Sequence, residues 1–291
     1  GAVYFASSPV WMGFTINALI MSVAALSWNV TGGFGGLSSF GHAALFGTGA
    51  YASAILQVKY GVNAWAGLAA GIAAGSAMGA FIGGLAFRYG LRGSYFALVT
   101  LAFAEVLRIC ASSFEFTGGG SGLQLKLAPG FVTMQFQDRV MVYSILLGLT
   151  AVVMGLTALI KFSRFGAYLV AIRENEDAAE ALGIDTYKIK VQAMAISGAF
   201  GGLAGVLYLQ LWLFIDSTVV YGSAISVEAL IGPLIGGAGT VWGPLLGTLG
   251  LHLLGEGMHI RSKFLIAAIN KRLEFIFTYP IHEFDSFDSG L

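Results

Sequence analysis

The sequence predicts an all-α fold: a polytopic transmembrane helical bundle of about seven to nine spans, with broken or re-entrant helices and one short charged helix on a loop. Three observations carry this. The 291-residue chain is 57% hydrophobic, with a mean hydropathy of +0.80. Only 10% of it is charged, whereas a soluble domain uses about 25% to cover its surface. Its apolar residues also come in runs close to the roughly 20 that a bilayer-spanning helix needs. Lipid must therefore solvate much of the surface.

Candidate spans run over 10–29, 41–58, 64–87, 94–113, 140–160, 191–215 and 224–255. The last is long and interrupted at Gly232-Pro233, Gly236-Gly237 and Gly243-Pro244, as expected for one span plus a re-entrant piece. Such breaks at membrane depth survive only inside protein or beside a cavity. Residues 1–256 read as one transmembrane domain, with a cytoplasmic loop at 161–190, and 257–291 as an amphipathic tail. No cleavable signal pattern opens the sequence.

Lysine and arginine set the orientation. With 161–190 in the cytoplasm, that side holds Arg88, Arg92, Lys161, Arg164, Arg173, Lys188 and Lys190, and the tail adds Arg261, Lys263, Lys271 and Arg272. Only Lys59, Lys126 and Arg139 face outward. The tail counts as cytoplasmic only if 224–255 crosses the membrane an odd number of times.

The net charge is zero, which leaves no electrostatic case for nucleic acid. Cys110 is the one cysteine and has no internal partner. Neither an HExxH nor a paired-cysteine metal signature occurs. "TGGGSGLQ", 117–124, lacks the Gly-Lys-Ser/Thr of a phosphate-binding loop and reads as an external turn. The chain is therefore read as a non-enzyme with no cofactor of its own. If transport is ATP-driven, another chain must hold the ATP.

Gly67, Gly71, Gly75, Gly79 and Gly83 recur every fourth residue of one span, a small-residue stripe that permits close helix crossing. Gly198/Gly202 and Gly201/Gly205 repeat it in a later span. Packing within one subunit is the plainer reading of both, and a subunit interface the other.

Few charges lie within the spans. Glu105 and Arg108 sit three apart on one helix face, within reach of each other. They are candidates for the pathway or for a structural pair, because intramembrane charges mark functional sites. Glu228, expected near the outer end of its span and facing water, is a third candidate. His42, in "SFGHAALFGTGAY", reads as either a packing histidine or a ligand contact.

"RENEDAAEALGIDTYKIK", 173–190, holds eight charged residues in eighteen. Arg173–Leu182 reads as one short helix, with Glu174, Glu176 and Asp177 at its N-terminus, where the helix dipole favours anions. Gly183 is its expected stop, and Asp185 or Thr186 caps the next helix. This compact helix–glycine–helix arrangement suits docking of a soluble partner, with Ala178, Ala179 and Leu182 as the contact face.

That loop also resembles the cytoplasmic coupling loop of the LivM family, the permease subunits of bacterial ABC importers for branched-chain amino acids. "GGLSSFGHAALFGTGAYASAIL", "LRGSYFALVTLAFAEVLRI", "TGGGSGL", "ISGAFGGLAGVLY" and "LIGGAGTVWGPLLGTLG" match that family in the same order, over about residues 11–255. The tail beyond does not look like the family's final span. The resemblance implies an inner-membrane protein paired with a second homologous permease around a central pathway in membrane lipid. It also implies two cytoplasmic ATPase subunits, holding ATP and Mg, and a periplasmic substrate-binding protein. Arg173, Glu174, Glu176, Asp177, Ala178, Ala179, Leu182 and Gly183 would form the coupling helix. Amide or urea transport within the same class, an ion-coupled secondary transporter and a membrane assembly subunit are the alternatives.

Overall fold

The computed structural model of the chain describes residues 9–136 and 138–255. It is helical almost throughout, as expected. The helices are α1 (Pro9–Trp28), continued by a π-helix (Asn29–Phe34), then α2 (His42–Tyr60), α3 (Ala64–Arg88), α4 (Gly93–Ser113) and α5 (Arg139–Phe162). Two short helices follow, α6 (Arg164–Glu174) and α7 (Glu176–Ala181). The rest are α8 (Thr186–Trp212), α9 (Ser217–Val220), α10 (Ser223–Gly236) and α11 (Gly243–Gly255). A two-residue antiparallel pairing, Leu123–Gln124 with Phe214–Ile215, ties the loop between α4 and α5 to the end of α8. Six segments among the described residues are long and apolar enough to span: 12–34, α3, α4, α5, α8 and 217–236.

α8 is the central post. It packs against α3, α2 and α1, and the glycine stripes make this possible. A β-carbon on Gly75 would strike the Gly198 carbonyl, and one on Gly79 the Met194 carbonyl. On another face of α8, Gly205 meets the Phe46 carbonyl of α2. Both stripes therefore serve packing within one subunit. By contrast, α3, α4 and α5 turn much of their length outward, exposing Phe81, Leu147, Val152, Leu156 and Leu159.

α2 has the length of a span but not the hydropathy of the other six segments. It needs less because protein encloses most of it: His42 through Phe46 are all buried, and Gln57 is met by Ser53 and by Gln210 of α8. α2 also starts inside the bundle. His42 lies beside Ser197, about 16 Å up α8 at 1.5 Å per residue. Residues 35–41 thus climb as irregular backbone to this depth, an interruption the hydrophobic pattern did not disclose.

The long segment 224–255 breaks at one place, not three. Pro233 sits inside α10, and the chain turns at 237–242. Asn29 holds this turn from the π-helix: its Nδ2 donates to Thr240 O and its Oδ1 accepts from Gly239 N, both at 2.8 Å. Gly247 then lies against Gly232, and Gly243 against Gly236, so the chain reverses direction. This agrees with one span followed by a returning piece, and it leaves the odd number of crossings required for a cytoplasmic tail without support. It also removes the basis for counting the four tail cations, which lie outside the described residues. Seven against three remains, and the orientation with it.

Candidate functional site

The charged block folds as two helices on a turn, not one. Ser163 caps α6, accepting the Gly166 N–H at 3.2 Å. α6 ends because Asn175 is extended, at φ −159° and ψ 105°. The same asparagine caps α7, its Oδ1 accepting the Ala178 N–H at 3.0 Å. The expected helix from Arg173 is thereby corrected: Arg173 and Glu174 form the last turn of α6, because asparagine favours the N-cap over the helix interior. Gly183 stops α7 as expected, at φ +86°. Its N–H donates to Glu180 O at 2.9 Å and that of Ile184 to Ala179 O at 3.1 Å, the paired bonds of a Schellman stop. Asp185 caps α8, accepting the Lys188 N–H at 3.0 Å.

Inward-facing charges pin this element to the bundle. Glu176 of α7 pairs with Lys190 of α8. It also takes Arg92 Nε, from the N-cap of α4, at 3.2 Å. The Lys190 side chain is 5% exposed and that of Glu176 15%, and Lys190 Nζ lies 4.9 Å from the centre of the Phe87 ring in α3. Two spanning helices, α4 and α8, therefore meet α7 through one carboxylate, and α3 backs the pair through the Phe87 ring against Lys190. Arg92 Nη1 also donates to Asp177 Oδ1 at 3.2 Å. That bond and the field of Glu176 hold Arg92 above its ordinary pKa. Asp185 lies below its own, through hydrogen bonds from the Lys188 side chain and backbone. On α6, Arg173 Nη1 donates to Gly33 O at 3.0 Å, joining the loop to the π-helix.

The outward face differs from the expected one. Ala179 is 2% exposed and turned onto its own chain. Ala178, Ala181 and Leu182 face out instead, with Leu182 83% exposed. They share one face because positions three and four apart align on a helix. Asp177, one turn before Ala181, borders it; Glu174 ends α6 and pairs with Arg173, and Glu176 is committed to the clamp.

The membrane candidates separate. His42 is buried, its Nε2 3.0 Å from Ser197 Oγ. Ser197 Oγ donates to Ser27 O at 2.8 Å, and Ser27 Oγ to Ser197 O at 2.6 Å. With the Ser197 proton committed, Nε2–H donates, so His42 is a buried packing residue joining α2 to α8. Glu105 and Arg108 make the expected pair, Nε to Oε2 at 2.9 Å and Nη2 to Oε1 at 2.5 Å, with side chains 54% and 31% exposed. Glu228 lies past the midpoint of 217–236 and is partly buried, so the expected place at an outer end is corrected. Sequence reasoning missed Ser27, Asn29, Ser197 and the clamp role of Lys190. For Lys190 a signal existed: it shares the buried α8 stripe of Thr186, Ala193, Met194 and Ser197.

Residues 11–264 match the family described as "Branched-chain amino acid transport system / permease component". The chain belongs to that family. The chain is 29% identical over 266 residues to the high-affinity branched-chain amino acid transport permease LivM of Escherichia coli K12, covering 82% of this chain and 61% of that protein. It is 31% identical over 160 residues to a probable LivM of Methanocaldococcus jannaschii, 55% of this chain and 46% of that one. The ribose import permease RbsC of Escherichia coli K12 is 32% identical over 102 residues, 34% of this chain and 32% of that one. The chain thus spans about three-fifths of the length of the first of these relatives. No solved structure matches. With six candidate spans among the described residues, this member of the family is a multi-pass membrane protein.

Proposed function

We propose that this chain is the transmembrane permease subunit of an ABC importer for branched-chain amino acids in a bacterial inner membrane. A second homologous permease completes the pathway. Two cytoplasmic ATPase subunits supply ATP and Mg, and a periplasmic binding protein delivers the solute. Family membership supports the transport role. The observation that carries the coupling role is α7: a short helix capped at both ends, clamped to α4 and α8 through Glu176 with the Phe87 ring of α3 behind Lys190, and presenting Leu182 to water. A loop that only joined two spans would need no such clamp. The fixed apolar contact passes a push from a docked ATPase to the ends of three spans.

The test is purification of the complex from its native membrane, followed by leucine uptake in proteoliposomes. Co-purifying ATPase subunits and uptake that requires ATP support the proposal. Uptake by the purified chain alone, driven by a proton or sodium gradient, overturns it in favour of a secondary transporter.

A further inference from the structure

The outward surface of α4 is divided lengthwise. At 3.6 residues per turn, Ser94, Leu101, Glu105, Arg108 and Ser112 fall within about 60° of arc. Beside them runs a second strip, Tyr95, Ala102, Val106 and Ile109, which is exposed and apolar throughout apart from a tyrosine hydroxyl. The second strip suits lipid. The first does not, because an ion pair that is half exposed inside a span belongs beside water or protein rather than hydrocarbon.

A second observation concerns the same helix. The irregular segment 35–41 rests on Thr100, whose Oγ1 accepts the Phe40 N–H at 3.2 Å, while Gly41 abuts the Thr100 backbone. Ser38 and Phe40 of this segment are exposed. Irregular backbone at this depth is tolerated inside protein or beside a water-filled cavity, and the exposure of Ser38 and Phe40 fits the second.

We propose that the Glu105–Arg108 strip of α4 borders the aqueous route and is a transit site for a small zwitterion. This rests on the transport reading above. The pair is chemically suited to such a solute. Glu105 uses Arg108 Nε and one bond from Nη2, which leaves Nη1 to a solute carboxylate, since a guanidinium offers five N–H donors. Each carboxylate oxygen of Glu105 keeps lone pairs for a solute ammonium. Because the two charges cancel, the site holds a zwitterion briefly and does not trap a free ion.

The experiment uses the assembled complex in membranes, with Cys110 replaced by alanine. Single cysteines at Leu101 and Ser112 report the polar strip; Ala102 and Val106 report the apolar one. A membrane-impermeant thiol reagent should label Leu101→Cys and Ser112→Cys, and saturating leucine should slow that labelling at least threefold. It should leave Ala102→Cys and Val106→Cys unmodified. Labelling of the apolar strip instead, or of neither strip, overturns the proposal. The latter result assigns the face to a dry contact with another chain. In parallel, the double variant Glu105→Gln/Arg108→Gln keeps a hydrogen-bonded pair without charge. At equal assembly it should lose at least tenfold in leucine uptake, and uptake within twofold of the unaltered complex overturns the zwitterion site. If the unaltered complex moves no branched-chain amino acid, the substrate reading fails, and the labelling pattern still decides which face meets water.

Discussion

Glu176 and Lys190, fourteen residues apart, form a largely buried ion pair between the short helix α7 and the central helix α8. Their surroundings are unequal. Glu176 has a second cation in Arg92, whereas Glu176 is the only carboxylate bonded to the Lys190 ammonium among the described residues. Breaking a buried pair from one side costs roughly 3–5 kcal/mol, mostly because the other charge is stranded. Glu176→Gln should therefore destabilise the loop more than Lys190→Met. The double variant should recover part of the loss, as coupled neighbours do. Limited proteolysis of the 175–185 turn and uptake per assembled complex measure both effects; equal losses with no recovery would show that the pair is not coupled.

The orientation of α7 gives the second prediction. Ala178→Trp and Leu182→Asp should leave membrane yield unchanged and reduce ATPase co-purification at least fivefold, because both side chains point away from the chain. Ala179→Trp should act differently. It forces a large side chain into a packed contact, a change that costs about 1–3 kcal/mol, and should loosen α7 itself. Proteolysis separates the two cases, and capture of the ATPase by Ala178→Trp at unaltered levels removes the docking face.

Glycine position decides the third. Gly75→Leu should abolish assembly, because a β-carbon there meets the backbone of Gly198. Gly148→Leu should be tolerated, since nothing lies within 4 Å of the site. Yield of folded protein in detergent, compared between the two, checks this. Comparable yields would disprove the close α3–α8 crossing.

The fourth concerns Asn29. Asn29→Ala removes two bonds to the 237–242 turn, each worth about 0.5–1.5 kcal/mol net. Asn29→Asp keeps the acceptor for Gly239 N–H and loses the donor to Thr240 O. Asn29 is fully buried, so the aspartate also sets a carboxylate against the Thr240 carbonyl, which costs more than a lost hydrogen bond; thermal stability should fall in the order wild type, alanine, aspartate, and an aspartate at least as stable as wild type would overturn the donor role.

The fifth checks orientation. In a background without Cys110, cysteines at Leu182 and Gly120 should label from opposite sides of the membrane, with Leu182 cytoplasmic, following the positive-inside rule. Labelling from one side would overturn the topology.

The sequence by itself determined the class and the spans. Low charge and long apolar runs leave lipid as the solvent, and a spanning helix is a local structure whose length is written in one stretch of residues. Gly183 and Asp185 were legible for the same reason, since helix ends are set by their nearest neighbours. The family motifs added the transport reading. What only the tertiary structure decided are relationships between distant segments. Asn29 reaching Gly239, Ser27 reaching Ser197 and Glu176 reaching Lys190 leave no periodic trace. Ala179 and Ala178 are identical in composition, and only the packing of α7 against its own chain turns one inward and the other out. The rise of residues 35–41 to the depth of Ser197 is likewise invisible to hydropathy, because enclosing protein replaces lipid as the solvent of α2.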